Sequence, residues 1–212
     1  MQKLIELAQN IKDVELRKRV VEFLKDPRLS HKDFKKYPRM KIEDAGSVFT
    51  VGGSSGSTSV ERDVLTHTIS LVNLCLSTAE IFEKNYGIKI NKDHLVAAAI
   101  LHDIPKIFEW KKGKEGFEHT GVLLDHTMLG VAEFYFRGFP EGVIHIIASH
   151  FGENGPTPPR NFEALILHHL DSMASLVEFH IQGTKQQQQP VQLVVLDEET
   201  LKKITGENAE KK

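Results

Sequence analysis

From residue 61 to residue 182, apolar side chains recur at helical spacing and almost none alternate with period two, so this stretch has to fold as packed helices. Glycine, proline and capping residues divide it into a long first helix running to about Tyr86 and further helices at about 91–103, 123–137, 140–151 and 161–182. Thr58 or Ser59 is expected to cap the first helix and Gly87 to stop it. Each apolar run also holds a group that resists burial. His67 lies in "VLTHTISLV", His102-Asp103 ends "AAAILHD", and His126 sits in "LLDHTMLGVA". His150 ends "VIHIIASHF", and Asp171 lies in "LILHHLDSMASLV". A buried carboxylate or charged imidazole is costly unless it is paired or bound to metal. One such histidine alone reads as a hydrogen-bonded core residue. Separate helices each contributing one point to a shared ligand.

The donor set is imidazole plus carboxylate without thiolate, which suits Mn, Fe, Co, Ni or Zn better than a structural zinc site. The one cysteine, Cys75 in "LVNLCLSTA", is expected to pack as a small hydrophobe. With no disulfide within the chain, a reducing compartment is expected. The 27 basic and 29 acidic residues nearly cancel, leaving no general electrostatic case for nucleic-acid binding. The N-terminus is charged throughout and has no signal-peptide core. No apolar stretch of about 18 residues is apparent, so no membrane span is expected and the protein reads as cytoplasmic.

Outside the helical body, residues 2–25 carry amphipathic patterns, with Leu4, Ile5, Leu7, Ala8 and Ile11 at helical spacing, then Val14, Val20, Val21 and Leu24. The stretch "GSVFTVGGSSGSTSVERD", residues 46 to 63, is expected to be an ordered loop or a flexible cover, and its centre "GGSSGS", residues 52 to 57, a mobile loop beside the site. It lacks the "GKS" or "GKT" of a P-loop. After Gly183 come a glutamine run, a proline, the strand-like "VQLVVL" and a charged end, which together read as an appendage frayed after about Gly206. The expected division is therefore 1–59, 60–182 and 183–212. The N-terminal helices and "VQLVVL" either close the domain or pair subunits in a homo-oligomer.

The ordered series His67, His102-Asp103, Asp171 on helical segments resembles the HD-domain metal-dependent phosphohydrolase superfamily. "HDIPK" resembles the HD-x-x-K form, although relatives usually carry glycine where Pro105 stands. The set "LHDIPKIFEW", "DHTMLG", "IIASHFG" and "ILHHLDSMAS" is similar to the HD domain of bacterial 3′–5′ exoribonucleases. It is also similar to archaeal HD enzymes that open the 2′,3′-cyclic phosphate of dihydroneopterin. No counterpart of the exoribonucleases' OB-fold module is visible ahead of residue 60.

The resemblance implies an all-α HD bundle holding two divalent metals, Fe²⁺ or Mn²⁺ first, with Zn, Co, Ni and Mg as further candidates. Asp103 would bridge them, His67, His102 and Asp171 would complete one site, and His126 with His150 the other. Asp103 and Lys106 would be catalytic, the lysine approaching a substrate phosphate. Arg62, which otherwise reads as an exposed arginine at a helix start, and His119 are further candidates for substrate contact, and His168 and His169 for orienting a ligand. Trp110 and Phe108 either stack on a ring or pack. His31, His94, His145 and His180 read as ordinary histidines. The implied activity is hydrolysis of a small cyclic phosphate of nucleotide or pterin type. The alternatives are exoribonuclease action on short RNA, a nucleotide phosphomonoesterase, or a catalytically silent nucleotide-binding module.

Overall fold

Helix α4, Lys92–Leu101, is the centre of the fold: every side chain from Leu95 to Leu101 is buried. A helix apolar on all sides has to be surrounded, and α2, α3 and α7 pack around it. The computed structural model describes residues 1–53 and 56–187. Its elements in chain order begin with α1 (Gln2–Leu7), α2 (Val14–Lys25), β1 (Gly46–Gly53), β2 (Gly56–Asp63) and α3 (Val64–Tyr86). After α4 come α5 (Lys106–Glu109), β3 (Trp110–Lys112), β4 (Phe117–His119), α6 (His126–Phe136), α7 (Glu141–Ala148) and α8 (Phe162–Gln187). Met1–His180 forms one unit; a second begins at Ile181, and its described part is the end of α8.

The body is the expected helical bundle. Leu4, Ala8 and Ile11, with Leu16, Val20, Phe23 and Leu24 of α2, share the apolar core with α4. Asp93 at the start of α4 accepts the backbone N–H groups of Lys12 and Asp13, each at 2.8 Å. By length and hydropathy alone α3 is apolar enough to cross a bilayer. Here it is a core helix, burying Val64, His67, Leu71, Val72, Cys75 and Ala79.

Three sequence expectations need correction. The Gly/Ser stretch is an antiparallel hairpin, β1 with β2, registered from Gly46 opposite Asp63 to Gly53 opposite Gly56. Its Gly/Ser density hid the extended pairing. Thr58 and Ser59 lie in β2, so α3 begins only at Val64, where the Asp63 carboxylate accepts the Thr66 N–H at 2.6 Å. Gly87, at φ 66°, ends α3 as expected. Helix α8 continues past Gly183 to Gln187; an interior glycine costs a helix only about 1 kcal/mol relative to alanine. The strand-like "VQLVVL" and the frayed end lie outside the described residues.

Candidate metal and phosphate site

Five segments deliver the polar groups to one place. Helix α3 brings His67, the end of α4 and the turn after it bring His102 and Asp103, and α6 opens on His126. The turn after α7 brings His150, and α8 brings Asp171. The six residues form two trios, His67, His102 and Asp171 beside Asp103, His126 and His150, with the ligating atoms of each trio within 4.8 Å of one another. Asp103 faces both. Its Oδ1 is 3.6 Å from His102 Nε2 and 3.4 Å from His126 Nε2, and its Oδ2 is 3.9 Å from His67 Nε2. His126 Nε2 and His150 Nε2 are 3.4 Å apart.

His67 Nε2, His102 Nε2 and Asp171 Oδ1 are buried and have no hydrogen-bond partner among the described residues. His67 Nε2 and Asp171 Oδ1 lie 2.9 Å apart but are not aligned for a hydrogen bond. Unpaired buried polar atoms are rare because each carries its full desolvation cost. Three converging on one point, all of them metal-ligand types, fit a divalent cation.

The opposite ring nitrogen of each histidine is anchored. His67 Nδ1 meets Glu178 Oε1 at 2.8 Å, and His126 Nδ1 meets Glu109 Oε2 at 2.8 Å. His102 Nδ1 meets the Ala99 carbonyl at 3.0 Å, and His150 Nδ1 the Ile147 carbonyl at 2.8 Å. Since these partners accept, Nδ1 carries the proton and the Nε2 lone pair faces the centre. Sequence reasoning missed Glu109 and Glu178. The signal was there: Glu178 lies seven residues after Asp171 on α8, close to two helical turns.

Ligation needs neutral imidazole and ionised carboxylate, and the electrostatics suit it at His102, His150, Asp103 and Asp171 but not at His67. Burial pushes His102 down and, with His126 and His102 nearby, pushes His150 down to about 3. Burial would also lower His67, but the Asp171 and Glu178 carboxylates outweigh it and the net direction is up. Burial would raise Asp103, yet Lys106, His102, His126 and Arg62 hold it well below the usual carboxylate range. Asp171 is likewise held low, its burial outweighed by the His67 and His102 imidazoles.

Two buried cations complete the floor. Lys106, 7% exposed, donates from Nζ to Asp103 Oδ2 at 2.8 Å. Arg62, 6% exposed, comes from β2 and is not at an exposed helix start. Its Nη1 lies 3.4 Å from Asp103 Oδ2, its Nε donates to Glu178 Oε2 at 2.8 Å, and its Nη2 donates to Ser175 Oγ. The guanidinium stacks 4.5 Å from the Phe49 ring centroid. Above this floor is a cavity of about 350 Å³, walled on its apolar side by Val48, Phe49, Trp110 and Phe151. His168, Ser172, Ser175 and Asn154 line the rest.

Other expected site residues divide. His168 is buried beside the site, its Nδ1 donating to the His150 carbonyl at 2.8 Å. His169 is exposed and meets the His168 ring, because consecutive helical residues point about 100° apart. His119 is at the exposed end of β4, accepts the Gly121 N–H at 3.0 Å and does not line the cavity. Phe108 is in the core, while Trp110 lines the cavity. Phe49 and Phe151 were not foreseen. Val48, Phe49 and Arg62 belong to the hairpin, so the segment expected to be a loop or cover supplies cavity wall and cation together.

The HD domain family matches residues 64–190 of this chain. The dihydroneopterin 2′,3′-cyclic phosphate phosphodiesterase of Methanocaldococcus jannaschii is 40% identical over 183 residues, covering 84% of this chain and 70% of that protein. In a chain of 212 residues, a contiguous match of that share necessarily includes the β1–β2 hairpin. The 3′–5′ exoribonucleases YhaM of Bacillus licheniformis and Bacillus subtilis are each 32% identical over 120 residues, half of this chain. That match spans only 36% of either exoribonuclease. No solved structure matches. Since the family match takes in the helices that carry all six clustered residues, the chain belongs to the HD domain family, whose members are metal-dependent phosphohydrolases.

Proposed function

We propose that this protein is a phosphodiesterase that hydrolyses a small cyclic phosphate borne by a nucleotide or a pterin. The observation that carries the reading is Asp103, shared between two ligand-type trios and faced by two buried cations at the floor of a small cavity. His67, His102 and Asp171 would hold one divalent ion and His126 and His150 the other, with Asp103 between them. Four imidazoles and two carboxylates suit Fe²⁺ or Mn²⁺. Such ions, when bound, supply Lewis-acid charge and make hydroxide available at neutral pH.

The chain's own residues would do the rest. Lys106 and Arg62 offer positive charge to phosphate oxygens. Phe49, Trp110 and Phe151 offer ring faces to a flat base or pterin. At about 350 Å³ the cavity is near the lower end of small-molecule sites, and a net charge of −2 gives no track for a long polyanion. The phosphodiesterase relative, aligned across the hairpin that supplies Arg62 and Phe49, supports the same reading. Similarity to the exoribonucleases favours one second reading, cleavage of short RNA at the same site.

The test is protein purified without chelator, its metal content, and turnover of bis-p-nitrophenyl phosphate against p-nitrophenyl phosphate, beside Asp103→Ala. Two metals per chain and diester turnover lost in the variant are expected, and 2′,3′-cyclic phosphates should then outcompete short RNA. Monoester turnover alone with one metal would favour a nucleotidase. No metal and no turnover would overturn the enzyme.

A further inference from the structure

We infer that Glu178 is a positioning residue that ties the metal-site imidazole of His67 to the substrate-facing guanidinium of Arg62. Its two oxygens are used separately. Oε1 accepts from His67 Nδ1 at 2.8 Å, and Oε2 accepts from Arg62 Nε at 2.8 Å. Helix α8 therefore grips one imidazole from both sides, with Asp171 Oδ1 2.9 Å from Nε2 and Glu178 on Nδ1.

Between the two carboxylates, Ser175 accepts from Arg62 Nη2 and donates its own hydroxyl to the Asp171 carbonyl at 2.8 Å. Asp171, Ser175 and Glu178 fall at helical spacing of four and three residues, which sets them on one stripe of α8. With Nε and Nη2 tethered to that stripe, the remaining nitrogen, Nη1, is aimed at the metal-site carboxylates, 3.4 Å from Asp103 Oδ2 and 3.9 Å from Asp171 Oδ1. The Phe49 ring covers one face of the guanidinium, so its plane is held on that side as well. An ordinary structural ion pair would not need to join β2, α3 and α8 at a ligand and a cation together. The geometry points to Glu178 setting the His67 tautomer with one oxygen and the aim of Arg62 with the other.

The substrate half of this assignment rests on the phosphodiesterase reading; the metal half does not. The full chain would carry Glu178→Gln and Glu178→Ala, with Mn²⁺ binding measured by calorimetry in the absence of substrate. KM and kcat would be measured separately on bis-p-nitrophenyl phosphate. In Glu178→Gln the amide oxygen still accepts from His67 Nδ1–H, but the amide NH₂ opposes the Arg62 donor. Mn²⁺ affinity should therefore stay within about threefold of wild type while KM rises on the order of tenfold with little change in kcat. Glu178→Ala frees both partners and should weaken Mn²⁺ binding by roughly 10- to 100-fold as well as raising KM.

Wild-type Mn²⁺ affinity and KM in both variants would overturn the assignment, as would equal losses in both. If Glu178→Ala fails to fold by circular dichroism, the affinity–KM split in Glu178→Gln decides alone. A wild type without diester turnover would overturn the phosphodiesterase reading, and Mn²⁺ affinity would still decide the role of Glu178 toward His67.

Discussion

Glu109 Oε2 lies 2.8 Å from His126 Nδ1, and His126 Nε2 in turn lies 3.4 Å from Asp103 Oδ1. The carboxylate thus fixes the imidazole proton on the side away from Asp103. Burial raises Glu109, but its hydrogen bond and charge contact with His126 bring the net direction down, so it accepts as an anion. Glu109→Ala removes that acceptor and leaves the His126 ring free to change tautomer. Mn²⁺ affinity at the trio containing His126 is expected to fall by roughly 10- to 100-fold. A calorimetric titration with wild-type affinity at both sites would count against this role.

Asp103 is the anion paired with buried Lys106, and it shares buried Arg62 with Glu178. Replacing one partner of a buried pair leaves an uncompensated charge, at a cost of about 3–5 kcal/mol. In urea unfolding with chelator present, Asp103→Asn should be destabilised by about that amount. Adding Lys106→Met to it should recover part of the loss, because one orphaned cation is gone. A double variant less stable than the single one would show that Lys106 has another buried partner.

His150 gives a pH dependence of known sign. Its pKa is about 3 in the folded chain against 6.5 for an ordinary imidazole. The unfolded chain therefore takes up the proton first. The stabilisation is fully present above about 6.5 and is lost as pH falls toward 3. By pH ~5 the loss from this group alone is about 2 kcal/mol. His102, also lowered by burial, acts in the same direction, and His67, raised by its carboxylates, opposes it. Urea midpoints of chelated protein should fall from pH ~7 to pH ~5, with a shallower slope in His150→Gln. Equal slopes would mean that His150 is not held neutral.

Cys75 should be inert in the folded chain. It is fully buried, and burial pushes its thiol up to about 12. Alkylation by iodoacetamide at mildly alkaline pH should be slower than in denaturant by on the order of a thousandfold, since only thiolate reacts. Rapid labelling without denaturant would place the thiol at the surface.

The polar groups inside apolar runs were readable because burial conflicts with charge at any fold a helical chain adopts. That conflict singled out His67, His102, Asp103, His126, His150 and Asp171, and the structure gathers all six. Lys106 was implied by the resemblance of "HDIPK" to the HD-x-x-K form. Glu109 and Glu178 were passed over because a glutamate on a helix is ordinarily solvated, and nothing local says which imidazole it meets. Arg62 looked like an exposed residue at a helix start until the hairpin turned it inward. Phe49 and Phe151 carry no local signal in sequence and become cavity wall only when separate elements meet.

By itself, the amino-acid sequence determined the helical body, through hydrophobic periodicity, and the residues that needed a common partner, through the cost of burying them alone. The pairing of the two trios across Asp103, the turn of each Nε2 toward the centre and the hairpin's part in the cavity were decided only by the tertiary structure. The physical reason is range. Periodicity and burial cost act within a segment, whereas the hydrogen bond that His67 Nδ1 donates to Glu178 spans 111 residues and exists only once the core has brought α3 and α8 together.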